Sequence, residues 1–284
     1  MGNSRGVGRR TNVRTLAVGC VALFAGIVAG TASAAPPSPV PLAPPAVTAI
    51  PAGPLGDAIR LGLRMMTDTQ SAAAPYVGNG LLCVSCHLDQ GRAAYASPLV
   101  GLTGVFPEYR ARLGRVESLE ERIDDCFLRS MNGKALPPTS PEMIGLLAYT
   151  AWLSQGIPIG VEVVGRGFRD LAAPATPDAA HGKTLFAAKC AACHGADGQG
   201  TPGGPAGYYF PPLWGARSFN DGAGMARVSV AAAFLQAKMP LGSGGTLSAQ
   251  EAYDIAAYFT AQPRPSFAER AADWPNGSKP ADAR

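Results

Sequence analysis

The chain contains the stretch Cys83-Val84-Ser85-Cys86-His87 and, further on, the stretch Cys190-Ala191-Ala192-Cys193-His194. In both stretches, two cysteines spaced by two residues are followed at once by a histidine. This pattern is typical of covalent haem attachment, in which both thiols form thioethers and the histidine ligates the iron. A zinc site or a redox dithiol is the alternative, but two copies at matching places favour haem. The sequence therefore predicts two covalently bound haem c groups.

The sequence around the two motifs repeats. Pro98-Leu99-Val100-Gly101 follows the first motif and Pro212-Leu213-Trp214-Gly215 follows the second. The two halves also agree in the spacing from the motif histidine to an aromatic residue in the last predicted helix of the half. This spacing is 65 positions from His87 to Trp152 and 64 from His194 to Tyr258. Such agreement indicates a tandem duplication. Because no stretch shows a strand pattern, we predict an all-α fold of two tandem cytochrome c-type domains, each built around one haem.

A chain of 284 residues has room for two such domains and several connecting segments. Its start has the basic, apolar and small-residue regions of a secretory signal, so we expect cleavage after Ala34 and export to the periplasm. An uncleaved membrane anchor is the alternative. The predicted segments, in chain order, are a signal peptide (1–34), a Pro/Ala-rich linker without packed structure (35–54), a first domain (55–156), an interdomain strap (157–176), a second domain (177–264) and a loosely wrapped tail (265–284).

Polar residues at characteristic spacing predict where several helices begin. A serine or threonine followed three residues later by glutamate is typical of a capping box. We expect such boxes at three places, which are Ser118 with Glu121, Thr139 with Glu142, and Ser248 with Glu251. The helix that begins at Ser118 should end at Asn132-Gly133.

Cys126 is the one cysteine of the expected mature chain without an assigned partner. Arg122, Cys126 and Ser130 are four residues apart, so a helix would place them on one face. Met131 lies past this face, and Met143 fits the core of the closing helix. We predict Cys126 as an axial ligand of the first haem iron, which would keep its potential low. A buried inert cysteine is the alternative.

The net charge of +4 is modest, and the chain has no basic tail that would indicate a nucleic-acid partner. Local charge around Cys126 is higher. We predict an anion site there, with a solvated surface that pairs with nearby glutamates as the alternative, and we expect Arg129 on that surface. The basic residues of this interval are Arg110, Arg112, Arg115, Arg122, Arg129 and Lys134.

The second haem needs a further ligand. His181, the one remaining histidine, lies at the start of the helix that leads into the second motif, on the wrong side of that haem. Lys238 and Met239 follow a predicted helix over 228–237. Either side chain could ligate the iron, and the two could exchange on a change of redox state.

Two haem motifs, the segment Arg122-Ile123-Asp124-Asp125-Cys126-Phe127-Leu128-Arg129-Ser130-Met131-Asn132-Gly133-Lys134 and the pair Lys238-Met239 together resemble the dihaem thiosulfate dehydrogenase family. The resemblance covers both domains. It implies a catalytic haem in the first domain and an electron-exit haem in the second. The implied residues are His87 and Cys126 on the first iron, His194 with Lys238 or Met239 on the second, and Arg112, Arg115 and Ser130 in the substrate pocket.

By the same resemblance, two thiosulfate ions are coupled to tetrathionate. The two electrons pass to an external acceptor, either another c-type cytochrome or an iron-sulfur protein. Cys126, between Arg122 and Ser130, is expected to take part in the sulfur chemistry as well as to ligate iron. A tetrathionate reductase that runs the same site in reverse is one alternative. A dihaem electron carrier without its own substrate is another.

Overall fold

The structure is a computed structural model that describes residues 2, 37–174, 176–204 and 207–283. Apart from Gly2, the predicted signal peptide lies outside the described residues. The helices are α1 (Pro54–Thr67), α2 (Thr69–Ala72), α3 (Leu88–Gly91), α4 (Leu119–Asp125), α5 (Pro141–Leu153), α6 (Ala179–Lys189), α7 (Ala191–His194), α8 (Val228–Lys238) and α9 (Ala249–Thr260), and a π-helical turn spans Cys126–Ser130.

Each domain is built on a pair of helices that cross closely. In the first domain α1 packs on α5, and in the second α6 and α8 pack on α9. Glycines permit the close approach: a Cβ at Gly62 would lie 2.1 Å from the carbonyl oxygen of Gly145, and one at Gly182 would lie 1.9 Å from that of Asp254. The buried hydrophobic side chains of the two domains form one continuous cluster. The predicted all-α, two-domain architecture is therefore confirmed.

Two of the three predicted capping boxes are present. The Ser118 hydroxyl accepts from Glu121 N, and the Ser248 hydroxyl accepts from Glu251 N. The prediction at Thr139 was wrong, because α5 begins one residue later, with the Ser140 hydroxyl accepting from Met143 N at 3.1 Å. Pro141 occupies the first helical position, where its missing N–H is tolerated, and this places the cap on Ser140.

Two short β-hairpins interrupt the helical fold. The first pairs β1 (Glu108–Arg110) with β2 (Arg115–Glu117), and the second pairs β3 (Thr201–Pro202) with β4 (Tyr208–Phe210), both antiparallel. The sequence did not predict them, because strands of two or three residues are too short for an alternating pattern to be recognised. The first hairpin leads directly into α4 and the Cys126 turn.

The segment before α1 packs on the first domain, contrary to the prediction of an unpacked linker. Val40 N donates to Glu162 O at 2.8 Å, and Val164 N donates to Val40 O at 2.9 Å. These bonds join the segment to the strap around Val163, which is buried. Leu42 also packs against the hydrophobic core. Apolar side chains among the prolines, rather than the overall composition, decide this packing.

The C-terminal tail is also packed, where a loose or frayed tail was expected. Phe267 is buried, and the Asp273 side chain is 2% exposed. Asp282 accepts hydrogen bonds from Arg227 and from Ser229 N at the start of α8. Within the described residues, none of the helices has the length and apolar character to cross a membrane.

The helix crossing in the first domain yields a stability prediction. Replacing Gly62 by Ala should lower the free energy of unfolding by about 1–3 kcal/mol, because the new methyl group would force α1 away from α5. Arg64→Ala, on an exposed part of the same helix, should change it by less than about 0.5 kcal/mol. Denaturant unfolding of the holoprotein measures both. Equal stability of the two variants would mean that the crossing tolerates a wider separation.

Candidate haem sites and the cavity at Cys126

The second motif lies on a cavity of about 240 Å³ at the end of α6. His194 Nδ1 lies 2.9 Å from the carbonyl oxygen of Pro211, which fixes this nitrogen as the donor and leaves Nε2 for a metal. Burial lowers the pKa of His194, which favours the neutral imidazole that a metal requires. The apolar lining includes Phe186, Leu213, Phe219, Phe234, Ile255 and Phe259.

The first motif lies on a larger cavity, of about 480 Å³. His87 Nδ1 lies 2.6 Å from the carbonyl oxygen of Ser97, and burial lowers the pKa of His87. In both domains the accepting carbonyl belongs to the residue immediately before the repeated Pro-Leu pair, which is Pro98-Leu99 here and Pro212-Leu213 in the second domain. The duplication therefore preserves the orientation of the motif histidine.

The cysteines of the motifs also fit a covalently attached haem. Burial raises the pKa of the Cys83 and Cys190 thiols to about 11 and that of Cys86 to about 12. These sulfurs are therefore neutral near pH 7, like the thioether sulfurs that they would become. Neutral sulfurs, a neutral histidine with Nε2 available and a largely apolar cavity together suit a haem in each domain.

The structure distinguishes the two predicted ligand candidates of the second cavity. Met239, directly after α8, is among the lining residues, and its neighbours Pro240 and Leu241 also line the cavity. Lys238 is the last residue of α8 and does not line it. His181 does not line the second cavity, and its Nδ1 instead lies 2.8 Å from the buried carboxylate of Asp254.

Cys126 begins a π-helical turn that lines the first cavity. Met131 N donates to Cys126 O at 2.9 Å, across the five-residue spacing of a π-helix, and Gly133 N donates to Phe127 O at 2.9 Å. Cys126 and Ser130 both line the cavity, as predicted for one face. Met131 also lines the cavity, although this residue was predicted to lie past that face. The wider turn changes which side chains share a face.

Two asparagines from outside this turn supply hydrogen-bond partners for it, Asn79 from the first domain and Asn220 from the second. Asn220 Nδ2 donates to Leu128 O at 2.9 Å, and Asn79 Nδ2 donates both to Ser130 O at 2.8 Å and to Ser218 O at 3.2 Å. Asn79 and Asn220 are buried. Two carbonyl groups of the turn are therefore satisfied by buried side chains, that of Ser130 within the first domain and that of Leu128 from the second.

Three arginines line the first cavity, one from each of three elements. Arg110 lies on β1, Arg122 on α4 and Arg166 in the strap. Arg110 pairs with Glu108 at 3.6 Å and with the buried Glu117 at 3.5 Å, and Arg122 pairs with Asp125 at 3.6 Å, so all three ion pairs are long. Sequence reasoning missed Arg166. Its flanking glycines, both at positive φ, were the available signal that the chain turns there.

Arg112 and Arg115 do not line this cavity. Arg112 Nε donates to Asp273 at 2.9 Å, and its guanidinium stacks on Trp274. Arg115 is half exposed and pairs with Glu121 at 2.8 Å. Arg112 lies in the turn between β1 and β2, where it meets Asp273 of the tail, whereas Arg110 on β1 lines the cavity. Arg115 is the cross-strand partner of Arg110, but its guanidinium is held by Glu121. These contacts depend on the hairpin and the tail, whose packing was not predicted.

Arg129, expected on a solvated surface, is buried. Its Nη2 donates to Asp273 Oδ1 at 2.8 Å, its Nη1 to Asp273 Oδ2 at 2.9 Å, and its Nε to Asp125 at 3.0 Å. The guanidinium also lies over the ring of Phe267. The tail that provides Asp273 and Phe267 was expected to be loose, so its burial of Arg129 was not predicted.

The two cavities have a common wall. Leu81, Leu82 and Cys86 line both of them. Cys86 belongs to the first haem motif, and Leu81 and Leu82 directly precede that motif in the chain. The two predicted haem positions are therefore separated by little more than this segment.

This fold and these two sites define a dihaem c-type cytochrome in which three arginines line the cavity of the first haem site. A family model described as SoxA/TsdA, cytochrome c domain, matches residues 74–159, and one described as cytochrome c matches residues 179–261. The chain is 48% identical to the thiosulfate dehydrogenase of Allochromatium vinosum, over 85% of this chain and 91% of that protein. It is 47% identical to that of Psychrobacter arcticus, over 84% and 73%. The chain belongs to the thiosulfate dehydrogenase family.

A solved structure agrees with this assignment. Thiosulfate dehydrogenase (TsdBA) from Marichromatium purpuratum superimposes with a TM-score of 0.76 and 44% sequence identity, over 78% of this chain. The chain spans about half the length (49%) of that solved chain. The predictions of the family, of two cytochrome c domains and of two haem c groups are confirmed.

The position of Met239 gives a prediction for the second haem. Met239→Gly should lower its reduction potential and change its visible spectrum, because methionine sulfur raises the potential of a histidine-ligated haem. Lys238→Gly, at the neighbouring position, should leave both unchanged in the oxidised and reduced states. Spectra recorded during a potentiometric titration measure this. A spectrum altered only by Lys238→Gly would make lysine the ligand instead.

Proposed function

We infer that this protein oxidises two thiosulfate ions to tetrathionate and passes the two electrons to an external acceptor. The observation that supports this most directly is the first cavity, where a thiol outside both haem motifs lies among three arginines. Family membership supports the same reaction. An electron carrier without a substrate would need neither the thiol nor the arginines at its haem.

The charges of the cavity suit a small dianion. Arg110, Arg122 and Arg166 line it together with one carboxylate, Glu108, and within the described residues the Arg166 guanidinium has no salt bridge or hydrogen bond. Each guanidinium attracts a unit negative charge at 4 Å by about 4 kcal/mol for an effective dielectric of 20, before desolvation is subtracted. Guanidinium groups also match sulfonate oxygens in geometry. We assign these three arginines and the Ser130 hydroxyl to the sulfonate groups of the substrate.

We assign the iron ligands from the lining residues, with His87 and Cys126 in the first domain and His194 and Met239 in the second. Arg122 has its pKa raised, most of all by the negative charge that a Cys126 thiolate places beside it. The Arg122 guanidinium and the Cys126 sulfur therefore lie close together in the lining of the first cavity.

In the proposed reaction, an S–S bond forms between the Cys126 thiolate and the terminal sulfur of one thiosulfate. Two electrons leave, and the product on the protein is Cys126–S–S–SO₃⁻. The terminal sulfur of a second thiosulfate then attacks the sulfane sulfur of this adduct. Tetrathionate forms, the bond to Cys126 breaks, and the thiolate returns. Neither step takes up or releases a proton, in keeping with a cavity that offers no histidine besides His87.

The chain also provides an exit for the electrons. When bound, each haem supplies an iron that accepts one electron. The wall of Leu81, Leu82 and Cys86 keeps the two sites adjacent. Tyr209 and Leu241 line the second cavity and are 68% and 62% exposed, so that cavity opens to the surface. We propose that the acceptor, a c-type cytochrome or an iron-sulfur protein, docks there.

We propose domain limits near residues 55–156 and 177–264, since α1 to α5 and α6 to α9 form the two helix groups. The family models, over 74–159 and 179–261, overlap these ranges. We propose the periplasm as the location, on the basis of the signal-like composition of residues 1–34.

Cys126 can be tested directly. Cys126→Gly should lower kcat for thiosulfate oxidation roughly a hundredfold or more, because both the nucleophile and the ligand are lost. Cys126→Met should keep a six-coordinate haem with a higher potential and lose a similar share of turnover. Steady-state assays with thiosulfate and ferricyanide measure this, with haem content as the control. Near-normal turnover of Cys126→Gly would make the cysteine structural and refute the mechanism.

Arg166 offers a second test with a matched control. Arg166→Gln should raise KM for thiosulfate roughly tenfold, because a charge-assisted contact to the sulfonate is lost. Arg169→Gln, in the same strap but exposed and stacked on Tyr95, should leave KM within about twofold of the unmodified protein. An unchanged KM in Arg166→Gln, with an altered haem potential, would assign Arg166 to the haem rather than to the substrate.

A further inference from the structure

The C-terminal tail contributes a buried carboxylate to the neighbourhood of the first cavity. Asp273 follows a short 3-10 helix, Ala268–Ala272, and its side chain is 2% exposed. It accepts two hydrogen bonds from the Arg129 guanidinium in a bidentate arrangement, and one from Arg112 Nε at 2.9 Å. A carboxylate buried this deeply is stable only when it is paired, and here both partners are arginines.

The Asp273 contacts continue to the cavity through side chains of alternating charge. Arg129 also donates to Asp125 at 3.0 Å, and Asp125 in turn lies 3.6 Å from Arg122, which lines the cavity. Side-chain exposure rises along this series, from 2% at Asp273 to 35% at Arg122. The series therefore runs from the buried tail to the substrate-facing guanidinium.

A second set of contacts joins the tail to the first hairpin. Trp274 N donates to Arg112 O at 2.7 Å, and the Arg112 guanidinium stacks on the Trp274 ring. Arg112 lies in the turn after β1, and β1 carries Arg110 into the cavity. One short stretch of the tail thus contacts the turn that follows β1 and the π-helical turn that follows α4, and β1 and α4 present Arg110 and Arg122 to the cavity.

From these contacts we propose that Asp273 is a positioning residue for substrate binding. Its carboxylate fixes Arg129 and Arg112, and through Arg129 and Asp125 it sets the position of Arg122 in the cavity wall. The tail is then part of the substrate site without touching substrate. The proposal rests on the inferred thiosulfate oxidation, and it adds a residue that lies outside both cytochrome c domains.

The experiment compares two tail carboxylates. Asp273→Asn keeps the shape of the side chain and removes its charge. Asp282→Asn makes the same change as a control, at a place where the tail binds the start of α8 through Arg227 and Ser229, away from the first cavity. Asp273→Asn should raise KM for thiosulfate roughly tenfold while kcat changes by less than about threefold. Asp282→Asn should leave both within about twofold of the unmodified protein.

Two further measurements separate positioning from general destabilisation. The electron paramagnetic resonance signal of the ferric first haem, recorded without thiosulfate, should shift in Asp273→Asn and not in Asp282→Asn. The variant Asp125→Asn should also raise KM, and the double variant with Asp273→Asn should raise it by less than the product of the two effects, since both act through Arg122. Thermal midpoints and haem content accompany each variant.

Clear outcomes would overturn the proposal. If Asp273→Asn and Asp282→Asn share the same KM and the same haem signal, Asp273 serves only stability. If Asp273→Asn does not yield holoprotein, Asp273→Glu, which keeps the charge and moves it by one methylene, should give a smaller rise in KM, and an unchanged KM there would equally refute the idea. Failure of the unmodified protein to oxidise thiosulfate would instead refute the function, and the haem signal would still test the position of the Cys126 turn.

Discussion

The π-helical turn at Cys126–Ser130 imposes the constraint on which the rest of the structure depends. A turn this wide leaves backbone carbonyls without helical partners, and buried carbonyls must be hydrogen-bonded. Asn79 and Asn220 satisfy them, and Asn220 belongs to the second domain. The Cys126 turn is therefore held in part by a side chain of the second domain. The buried hydrophobic side chains of the two domains also form one continuous cluster.

The two domains retain the same solution for the haem histidine and differ in what surrounds it. In each, the histidine Nδ1 lies within hydrogen-bond distance of the carbonyl before the repeated Pro-Leu pair. The second domain keeps an apolar cavity lined by Met239, which suits electron transfer. In the first domain, the hairpin β1–β2, the π-helical turn and the strap bring Arg110, Cys126 and Arg166 to the lining of the cavity. The two copies of the duplicated unit therefore differ in the polar groups at their haem sites.

The segments that look least structured by composition carry much of this addition. The strap supplies Arg166 to the cavity and is joined to the chain before α1 through Val40. The tail supplies Asp273, which pairs with two arginines near Cys126. Charged groups held by several distant segments lose little entropy when substrate binds, because their positions are already fixed. Such preorganisation would favour the binding of a small dianion in the function proposed above.

The sequence by itself determined the haem motifs, the duplication and the all-α class, because each depends on residue identity at fixed short spacing, and it also left Cys126 outside both motifs. Two helix caps were predictable for the same reason, since a capping box is local. Which arginines face the cavity was decided only by tertiary structure: Arg110 and Arg122 reach it, whereas Arg112 and Arg129 turn to Asp273, more than 140 residues away in the chain. The choice of Met239 over Lys238 for the cavity lining likewise depends on where α8 ends against the second cavity. Spacing along a chain defines which groups share a local face, but pairing between distant charges depends on packing that no local pattern contains.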